Sequence, residues 1–457
     1  MAGIVAIYGQ GLNSKNIIYY LAHSMRMLQH RGKAYWKIIV GDAAAGAEGS
    51  LPTDETILRI AQKEKLHGSN GIGYLSKRPP PFPSMNSIRV AFDGFFVDTE
   101  KLHLHPHIGS ARNSDSLFKI YYIFIQLLIH RKNAERAAEF LDRHLRGNLM
   151  VKLGDKIYVY RDRTGFKPLV TATNPDKTLH IIASENSLRV SLVNMEFADV
   201  KPGQLLKMTK EGVVEVPTSA SQIRAMMDPF EFIRESNVVA TVNGRSIYQI
   251  RKNIGREQAN FLSKEALDLD SAFAEPDYTR PMTLGFSLEY QKHSKVFELT
   301  EGIIKDRYDD SDHMIDFSEE VSKNKLLTTG RSLKFVMEDF VQGRKVATLQ
   351  GTIQTGSTVR ETIYYLKNAG ARRINVVVSY VPTVDGRQVG LYTQNRDLIA
   401  NKYVGTVSSI NDLNQSIATE IGVDSLYYNS PSILAKGIGL SENELWFPEW
   451  VRFLDYK

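Results

Sequence analysis

Hydrophobic residues in the first half of the chain occur in short runs separated by Gly and Asn, which is the pattern of β-strands. These runs predict strands at Ile4–Tyr8, Ile88–Phe92, Leu149–Leu153, Lys156–Tyr160, Thr178–Ser184 and Gln204–Met208. In Ser14–Leu28 and Ser114–Leu145, apolar residues instead recur every three or four positions, which predicts helices. The first half is therefore predicted to be a mixed antiparallel sheet structure with covering helices.

The second half alternates between the two patterns. After a helix near Ser246–Leu262, the predicted order is strand Pro281–Phe286, helix Leu288–Lys295, strand Lys345–Leu349, helix Val359–Ala369 and strand Ile374–Ser379. Strands that alternate with helices are typical of α/β domains with a parallel sheet. The second half is predicted to have this architecture.

The length of 457 residues indicates two or three domains with ample buried core. The richest apolar window, Ile120–Ile129, is too short to cross a bilayer, and the N-terminus lacks the basic segment of a signal peptide, so we expect a cytoplasmic location. The absence of cysteine excludes disulfides, iron–sulfur clusters, thiolate metal sites and a cysteine nucleophile.

The net charge of +6 is unevenly distributed. Residues 1–250 carry 32 basic and 23 acidic side chains, whereas residues 251–457 carry 25 and 28. The basic residues of the second helical stretch are Arg131, Lys132, Arg136, Arg143 and Arg146. They form either a basic face for RNA or the ribosome, or the solvated side of an amphipathic helix pair, which the interspersed acidic residues favour.

A small polar loop precedes one helix of the second half. Thr355, Gly356, Ser357 and Thr358 lie between the strand Lys345–Leu349 and the helix Val359–Ala369. Free N–H groups at a helix N-terminus bind phosphate, so these four residues are candidate phosphate ligands. The alternative is an ordinary turn in which Thr358 caps the helix.

Nine short segments occur in the order found in the glutamine phosphoribosylpyrophosphate amidotransferase family. They are Gly3–Val5, Leu28–Gly32, Tyr160–Leu169, Ala183–Asn186, Val200–Gly203, Phe230–Phe232, Gly244–Tyr248, Gly302–Tyr308 and Asp424–Tyr428. The chain resembles this family over nearly its whole length. The resemblance implies an α+β N-terminal-nucleophile (Ntn) glutaminase-like sandwich over residues 1–240, followed by an α/β type I phosphoribosyltransferase-like domain over residues 241–457.

In the family, the first domain releases ammonia from glutamine and the second adds it to phosphoribosylpyrophosphate. The glutaminase nucleophile is a cysteine at the first position after Met removal, and here that position is Ala2. Alanine has no nucleophilic atom, so no acyl-enzyme forms. A single engineered Cys→Ala change would explain Ala2, but it would not explain the other positions of the site.

The resemblance places the glutamine-site positions at Arg31, Ser76, Asp93, Gly94 and Asp115. Ser76 stands where the family has the arginine that holds the glutamine carboxylate. Asp93 stands in place of the asparagine of the oxyanion pair, and a carboxylate repels a developing oxyanion. Only Asp115 matches the family's aspartate for the substrate ammonium. We therefore predict that the glutamine site is degenerate.

The transferase site also departs from the family pattern. The family has two adjacent acidic residues that hold the ribose hydroxyls and, through Mg²⁺, the pyrophosphate; the aligned residues are Gln350 and Gly351. The loop that closes over the substrate carries Asp309–Asp312, and its carboxylates would repel a polyphosphate. A solvated acidic loop is favoured over a cation site. These departures predict no Mg²⁺ dependence.

Two further groups of residues are candidates for metal binding. The cluster cysteines of many family members fall near Asp228, near 386–389 and within Leu445–Trp450, where Trp446 and Phe447 predict apolar packing in preference to a partner-binding patch. His103, His105 and His107 would share one face of a strand, but the Pro between the last two favours surface histidines. No metal and no cofactor are predicted.

The leading hypothesis is a pseudoenzyme, an amidophosphoribosyltransferase-like protein that keeps the fold and acts as a structural, regulatory or binding factor. A protein partner is expected, either an active paralogue or a second copy. Two alternatives stay open: a residual ammonia-dependent phosphoribosyltransferase of purine biosynthesis, and an RNA- or ribosome-associated factor that uses the basic first half. No membrane association is expected.

Overall fold

The computed structural model describes residues 2–77, 88–218, 223–264, 267–305, 334–390 and 393–456.

The first half contains a seven-stranded sheet with the order β10-β8-β9-β1-β4-β2-β3. Its strands are β1 (Ala2–Gly9), β2 (Tyr35–Val40), β3 (Ala43–Glu48), β4 (Asn70–Ser76), β8 (Val170–Thr173), β9 (Leu179–Ala183) and β10 (Glu196–Asp199). The first strand is central and fully buried, and it pairs antiparallel with β4 and β9. The start of the chain is therefore fixed in the middle of the sheet.

A five-stranded antiparallel sheet has the order β12-β11-β7-β6-β5. Its strands are β5 (Val90–Phe96), β6 (Leu145–Leu153), β7 (Lys156–Arg161), β11 (Leu205–Thr209) and β12 (Gly212–Val216). Apolar side chains of both sheets, such as Ile4 and Phe92, belong to one buried cluster. The two sheets thus pack face to face as a sandwich.

Helices cover the outer faces of the sandwich. They are α1 (Ser14–Met27), α2 (Asp54–Lys63), α3 (Ser116–Ile125) and α4 (Ala134–His144). Ile17 and Leu21 of α1 pack with Val5 and Ile7 of the first sheet. Side chains of α3 and α4 join the cluster that also contains the second sheet.

The second half is built on a parallel sheet with the order β15-β18-β19-β20. The elements are β13 (Thr241–Val242), β14 (Arg245–Ser246), α5 (Ile247–Leu262), β15 (Ser271–Ala274), α6 (Arg280–Tyr290), β16 (Ile303–Lys305), β17 (Lys334–Val336), β18 (Lys345–Gln350), α7 (Ser357–Asn368), β19 (Arg373–Val378), α8 (Ile410–Ile421), β20 (Ser425–Tyr428), α9 (Pro431–Ile438) and α10 (Glu449–Phe453). One buried cluster contains side chains of the sheet, α7 and α8 together with Ile254 of α5 and Met282 of α6. A second joins Ala259 of α5 and Phe286 of α6 to the sheet.

One predicted strand and one predicted helix of the second half are wrong. The segment Pro281–Phe286 lies within helix α6, and the helix predicted at Leu288–Lys295 is only the end of α6 and the turn after it. The stretch Ser114–Leu145 contains two helices, α3 and α4, separated by a π-helical turn at Gln126–His130. The predicted strands Ile4–Tyr8, Lys345–Leu349 and Ile374–Ser379 are confirmed with shifts at their ends.

In the described part of the chain, no helix is long and apolar enough to cross a membrane. The apolar core of the second half begins before the predicted boundary at residue 240, because Met227, Phe230 and Phe232 belong to it. The segment that joins the two halves is therefore packed into the second half along part of its length.

Candidate functional site

The start of β1 lies beside the predicted oxyanion position. The backbone N–H of Ala2 donates a 2.7 Å hydrogen bond to Asp93 Oδ1, and Ala2 pairs in register with Ser76 of β4. Gly94 has a φ of 138°, and a Cβ at this position would lie 1.9 Å from the carbonyl oxygen of Arg146. Only glycine fits there. The structure therefore brings Ala2, Ser76, Asp93 and Gly94 together.

Arg31, in the short turn Gln29–Arg31 after α1, completes this cluster. Its fully buried guanidinium donates to Asp93 Oδ2 at 3.2 Å, to Glu185 Oε2 at 3.2 Å and to Glu231 Oε2 at 2.6 Å. Burial alone would lower the pKa of Arg31, but the carboxylates of Glu231, Glu185 and Asp93 hold it well above its usual value. The guanidinium is a permanent cation that joins three acidic side chains.

A second buried cation lies next to the first. Lys167 Nζ is 2.5 Å from Asp228 Oδ2 and 3.0 Å from Glu231 Oε1. Burial raises the pKa of Asp228 to about 6, although the charge of Lys167 opposes this shift. Burial would also raise the pKa of Glu185, but His30 and Arg31 lower it to about 2. The six charged groups form one buried network, defined as Arg31, Asp93, Lys167, Glu185, Asp228 and Glu231.

The partners of Asp93 in this buried network determine which hydrogen bonds the first site forms. The carboxylate of Asp93 accepts hydrogen bonds from Ala2 N and Arg31 Nη1, so it acts as an acceptor at a position where an oxyanion needs a donor. The side chain of Ala2 offers no nucleophile. The hydrogen bonds of Asp93 thus hold the buried start of β1 in place.

The segment that joins the two halves closes the site. It includes a π-helical turn, Glu231–Glu235, whose Glu235 pairs with Lys77 at the end of β4. Arg251 of α5 donates to the carbonyl oxygens of Phe232 at 2.9 Å and Ser236 at 2.7 Å. Because charges from both halves hold this turn, the first site and the second half are joined through it.

The second predicted site lies at the carboxyl edge of the parallel sheet, where α/β proteins bind their ligands. Gln350 ends β18, and its amide donates to Glu275 Oε2 at 3.2 Å and to Thr348 Oγ1 at 3.0 Å. The other oxygen of Glu275 is 2.6 Å from Lys334 Nζ. The buried carboxylate of Glu275 is thus neutralised by a lysine of this chain.

An aromatic ring covers Gly351. A Cβ at Gly351 would lie 2.2 Å from Cε2 of Tyr278, so the ring occupies the space that a side chain at this position would need. The guanidinium carbon of Arg234 lies 5.0 Å from the centre of the same ring, within the range of a cation–π contact. Arg234 belongs to the π-helical turn Glu231–Glu235, so Tyr278 links the second site to that turn.

The candidate phosphate loop precedes α7. Gly356 adopts a left-handed conformation with a φ of 82°, and no side chain caps the helix. Gly356 is the N-cap, so the predicted cap at Thr358 is wrong, while the choice between an ordinary turn and a phosphate loop stays open. Thr355 Oγ1 lies 3.1 Å from Ser357 Oγ, and Arg360 donates to the carbonyl oxygen of Thr355. The N–H of Ser357 donates to Thr355 Oγ1 at 3.4 Å, so one of the first backbone donors of this 12-residue helix is already engaged.

Other predicted positions have local roles. Asp115 is the N-cap of α3, and its carboxylate accepts from the N–H of Phe118 at 2.9 Å. His103 lies in a short 3₁₀ turn and contacts the carbonyl oxygen of Glu100, so the three histidines do not share a strand. Among the described residues, no group of His, Asp and Glu is arranged to hold a metal. The loop Asp309–Asp312 lies outside the described residues.

The residues present do not fit the cofactors that the resemblance implies. The Mg²⁺ position would need carboxylate oxygens, but it offers only Gln350, whose amide is used, and Gly351. An iron–sulfur cluster needs thiolates, and the sequence has no cysteine. Asp228, near one aligned cluster position, is paired with Lys167.

The C-terminal aromatic residues pack as predicted. Phe447 is buried, and the ring of Trp446 lies 5.6 Å from the ring of Phe95 and 5.9 Å from that of Phe166. The last segment of the chain is therefore packed against the first half. This contact covers residues that belong to the strand and loop beside the first site.

Sequence reasoning missed most of the buried network. It assigned no role to Lys167, Glu185 or Glu231, although each lies within a segment that carries the family resemblance. It also missed Tyr278 and the pair of Glu275 with Lys334. The available signal was that charged residues occurred within otherwise apolar segments, where they need partners.

Known proteins are similar to this chain over nearly its whole length. No family model matches it. The chain is 24% identical over 449 residues to the amidophosphoribosyltransferase of Synechococcus elongatus, covering 93% of this chain and 85% of that protein. It is 25% identical to the amidophosphoribosyltransferase of Methanocaldococcus jannaschii, covering 96% of this chain and 94% of that protein.

The fold matches a solved structure of the same kind. The glutamine phosphoribosylpyrophosphate amidotransferase of B. subtilis, in complex with ADP and GMP, superposes with a TM-score of 0.72 at 22% identity, covering 96% of this chain and 92% of that chain. This likeness confirms the predicted fold class, an Ntn glutaminase-like sandwich followed by a phosphoribosyltransferase-like α/β domain. The domain boundary at 240/241 stays a prediction. Over nearly its whole length, the chain is similar to amidophosphoribosyltransferases.

Proposed function

We propose that this protein is a catalytically degenerate member of its family, which acts as a structural, regulatory or binding factor. The observation that carries the proposal is the hydrogen bond from Ala2 N to Asp93 within the buried network. The nucleophile position has no reactive atom, and the residue at the oxyanion position is already an acceptor.

The second site supports the same proposal. Departure of pyrophosphate needs Mg²⁺ or another cation to stabilise the leaving charge. The aligned positions hold the amide of Gln350 and no side chain at Gly351, and the nearby carboxylate of Glu275 is paired with Lys334. Tyr278 covers the backbone at Gly351. The second site therefore lacks an anchor for the metal and space for the pyrophosphate.

The proposed role requires a partner. Family members form dimers or tetramers, so an active paralogue or a second copy of this chain is the expected partner, in the cytoplasm. A protein that keeps the fold but has lost the catalytic groups still functions where its outer surface, or its assembly with a partner, carries the function. Affinity purification at native expression level with mass spectrometry would identify that partner.

Pyrophosphate release tests the proposal. The purified full-length chain is incubated with phosphoribosylpyrophosphate, ammonia and Mg²⁺, beside an active amidophosphoribosyltransferase as positive control. We expect no release above the protein-free blank. Release that depends on both ammonia and phosphoribosylpyrophosphate would establish the second candidate, a residual ammonia-dependent phosphoribosyltransferase.

One observation favours that second candidate. The loop Thr355–Thr358 keeps a left-handed Gly356 directly before α7, and the N–H groups at a helix N-terminus are suited to a 5′-phosphate. Binding of a phosphate without turnover would fit the leading proposal, and turnover would fit the residual enzyme.

RNA or ribosome association is a third candidate. Arg131, Lys132, Arg136 and Arg143 are exposed near or on α4. Binding through such residues releases counterions, so ribosome co-sedimentation should fall steeply as salt is raised. Absent or salt-insensitive co-sedimentation would eliminate this candidate.

A further inference from the structure

One lysine lies among carboxylates at the carboxyl edge of the parallel sheet. Lys334 begins β17, Glu275 directly follows β15, and Glu361 lies in the first half of α7. Their side chains are 3%, 5% and 7% exposed, so all three charges are withdrawn from water. A buried carboxylate is costly unless a cation or several hydrogen-bond donors compensate it. The compensation at this edge of the sheet therefore has to come from the protein or from a bound ion.

The ammonium of Lys334 supplies the compensating positive charge. Lys334 Nζ lies 2.6 Å from Glu275 Oε1 and 3.7 Å from Glu361 Oε2. It also donates to Thr362 Oγ1 at 3.0 Å. The hydroxyl of Thr362 in turn donates to Glu275 Oε2 at 2.7 Å, and the amide of Gln350 donates to the same oxygen at 3.2 Å. Among the described residues, no other basic side chain lies within ion-pair distance of Glu275.

The atoms around this ammonium are of the kind that a divalent cation prefers. Two carboxylates and a threonine hydroxyl present oxygen atoms to one point, and Mg²⁺ and Mn²⁺ bind carboxylate, hydroxyl and water oxygens. A metal ion and the ammonium cannot share that point, because both are cations. The lysine is covalently attached to the chain, so its effective concentration at the site is high whatever the concentration of free metal ion. The tethered ammonium therefore outcompetes a free metal ion.

We propose that Lys334 is a built-in cation that takes the place of a metal ion at the second site. It compensates the charge of Glu275 and Glu361 without a metal, and it holds the hairpin of β16 and β17 against α7. Removal of its charge converts the two carboxylates into a site for Mg²⁺ or Mn²⁺. The proposal rests on the proposed loss of catalysis, because an active transferase would need the metal at this edge of the sheet.

Binding of Mn²⁺ to the full chain tests the proposal. Free Mn²⁺ is measured by electron paramagnetic resonance at constant ionic strength, and the melting temperature is measured in EDTA and, separately, in about 10 mM Mn²⁺. The neutral variants are Lys334→Ala and Lys334→Gln, and each is also combined with Glu275→Gln, which removes one of the two carboxylates. Lys345→Ala, which removes a lysine of β18 paired with the exposed Asp268, is the matched control.

We expect Lys334→Ala and Lys334→Gln to bind about one more Mn²⁺ per chain than the wild type, and Mn²⁺ to raise their melting temperature by at least about 3 °C. The melting temperatures of the wild type and of the control should change by less than about 1 °C. In EDTA, the neutral variants should melt at least about 5 °C below the wild type, because two buried carboxylates lose their cation. The gain of Mn²⁺ binding should disappear when Glu275→Gln is added.

If a neutral variant folds only with Mn²⁺, recovery of the folded protein on addition of the metal reports the same gain. An ordinary ion pair would give less stable variants without any gain of Mn²⁺ binding, and that result would overturn the proposal. A gain that persists with Glu275→Gln, equal Mn²⁺ binding by the wild type, or neutral variants that do not fold even with Mn²⁺ would also overturn it. Pyrophosphate release by the wild type would instead refute the proposed function, so the two failures are distinguishable.

Discussion

The contact between Tyr278 and Gly351 predicts that substitutions at these two positions have coupled effects on the free energy of unfolding. If the ring does not close the second site, the two effects are independent. Gly351→Ala adds one methyl group to a position whose Cβ would lie 2.2 Å from Cε2 and 2.7 Å from the hydroxyl oxygen of Tyr278. Gly351 does not have a positive φ, so alanine brings no backbone strain of its own. The cost of the substitution therefore comes from the ring.

The size of the cost follows from the overlap. Carbon atoms in contact lie about 3.5 Å apart, so the ring must move by about 1.3 Å to make room. Such a shift also disturbs the cation–π contact with Arg234. Overpacking of this kind costs about 1–3 kcal/mol. In a Tyr278→Ala background the methyl group has room, and we expect a cost under about 0.5 kcal/mol.

A double-mutant cycle by chemical denaturation measures this difference. The four proteins are the wild type, Gly351→Ala, Tyr278→Ala and the double variant. Tyr278→Phe serves as a control, because it keeps the ring and therefore keeps the free-energy cost of Gly351→Ala. We expect a coupling free energy of about 1–3 kcal/mol, with the double variant more stable than additivity predicts. Additive effects within about 0.5 kcal/mol would refute the inference that Tyr278 fills the site.

Two further predictions concern the buried network. Arg31→Met leaves three carboxylates without their shared cation and should lower the free energy of unfolding, measured by urea denaturation, by about 3–5 kcal/mol. The control Arg26→Met removes a half-exposed pair with Asp54 and should cost under about 1 kcal/mol. Similar losses for the two variants would contradict the role of Arg31. Burial raises the pKa of Asp228 to about 6, so its contribution to stability is present below its unfolded pKa and is lost as the pH rises through 6. Relative to Asp228→Asn, the wild type should therefore lose on the order of 1–3 kcal/mol between pH 4 and pH 7, and parallel stability profiles would contradict the raised pKa.

The strands of the first half were predictable because their apolar runs are bounded by Gly and Asn. Helix α6 was mistaken for a strand because the run Pro281–Phe286 is short and continuously apolar, a pattern that strands and buried helices share. Pro281 at the start of the run was the available sign of a helix. A Cβ on Gly285 would lie 1.9 Å from the carbonyl oxygen of Lys252 in α5, so this glycine permits close helix packing.

The positions of the first site were predictable from the family resemblance, but their partners were not. Arg31 contacts Glu185 and Glu231, which lie 154 and 200 residues further along the chain. Such contacts depend on the way the sandwich closes on the joining segment, and no local pattern contains that information. Tyr278 was missed for the same reason, since it lies after β15 whereas its partner Gly351 follows a different strand, β18.

Glutamine hydrolysis by the Ala2→Cys variant tests the central claim most directly, because it restores the nucleophile and leaves the rest of the site unchanged. Mass spectrometry confirms that Met1 has been removed, and ammonia release is followed beside an active family member. We predict no hydrolysis above the wild-type background, since Ser76 and Asp93 still lack the groups that bind the substrate and stabilise the oxyanion. Hydrolysis at a rate comparable to the active enzyme would contradict the account and identify Ala2 as the single defect of the site.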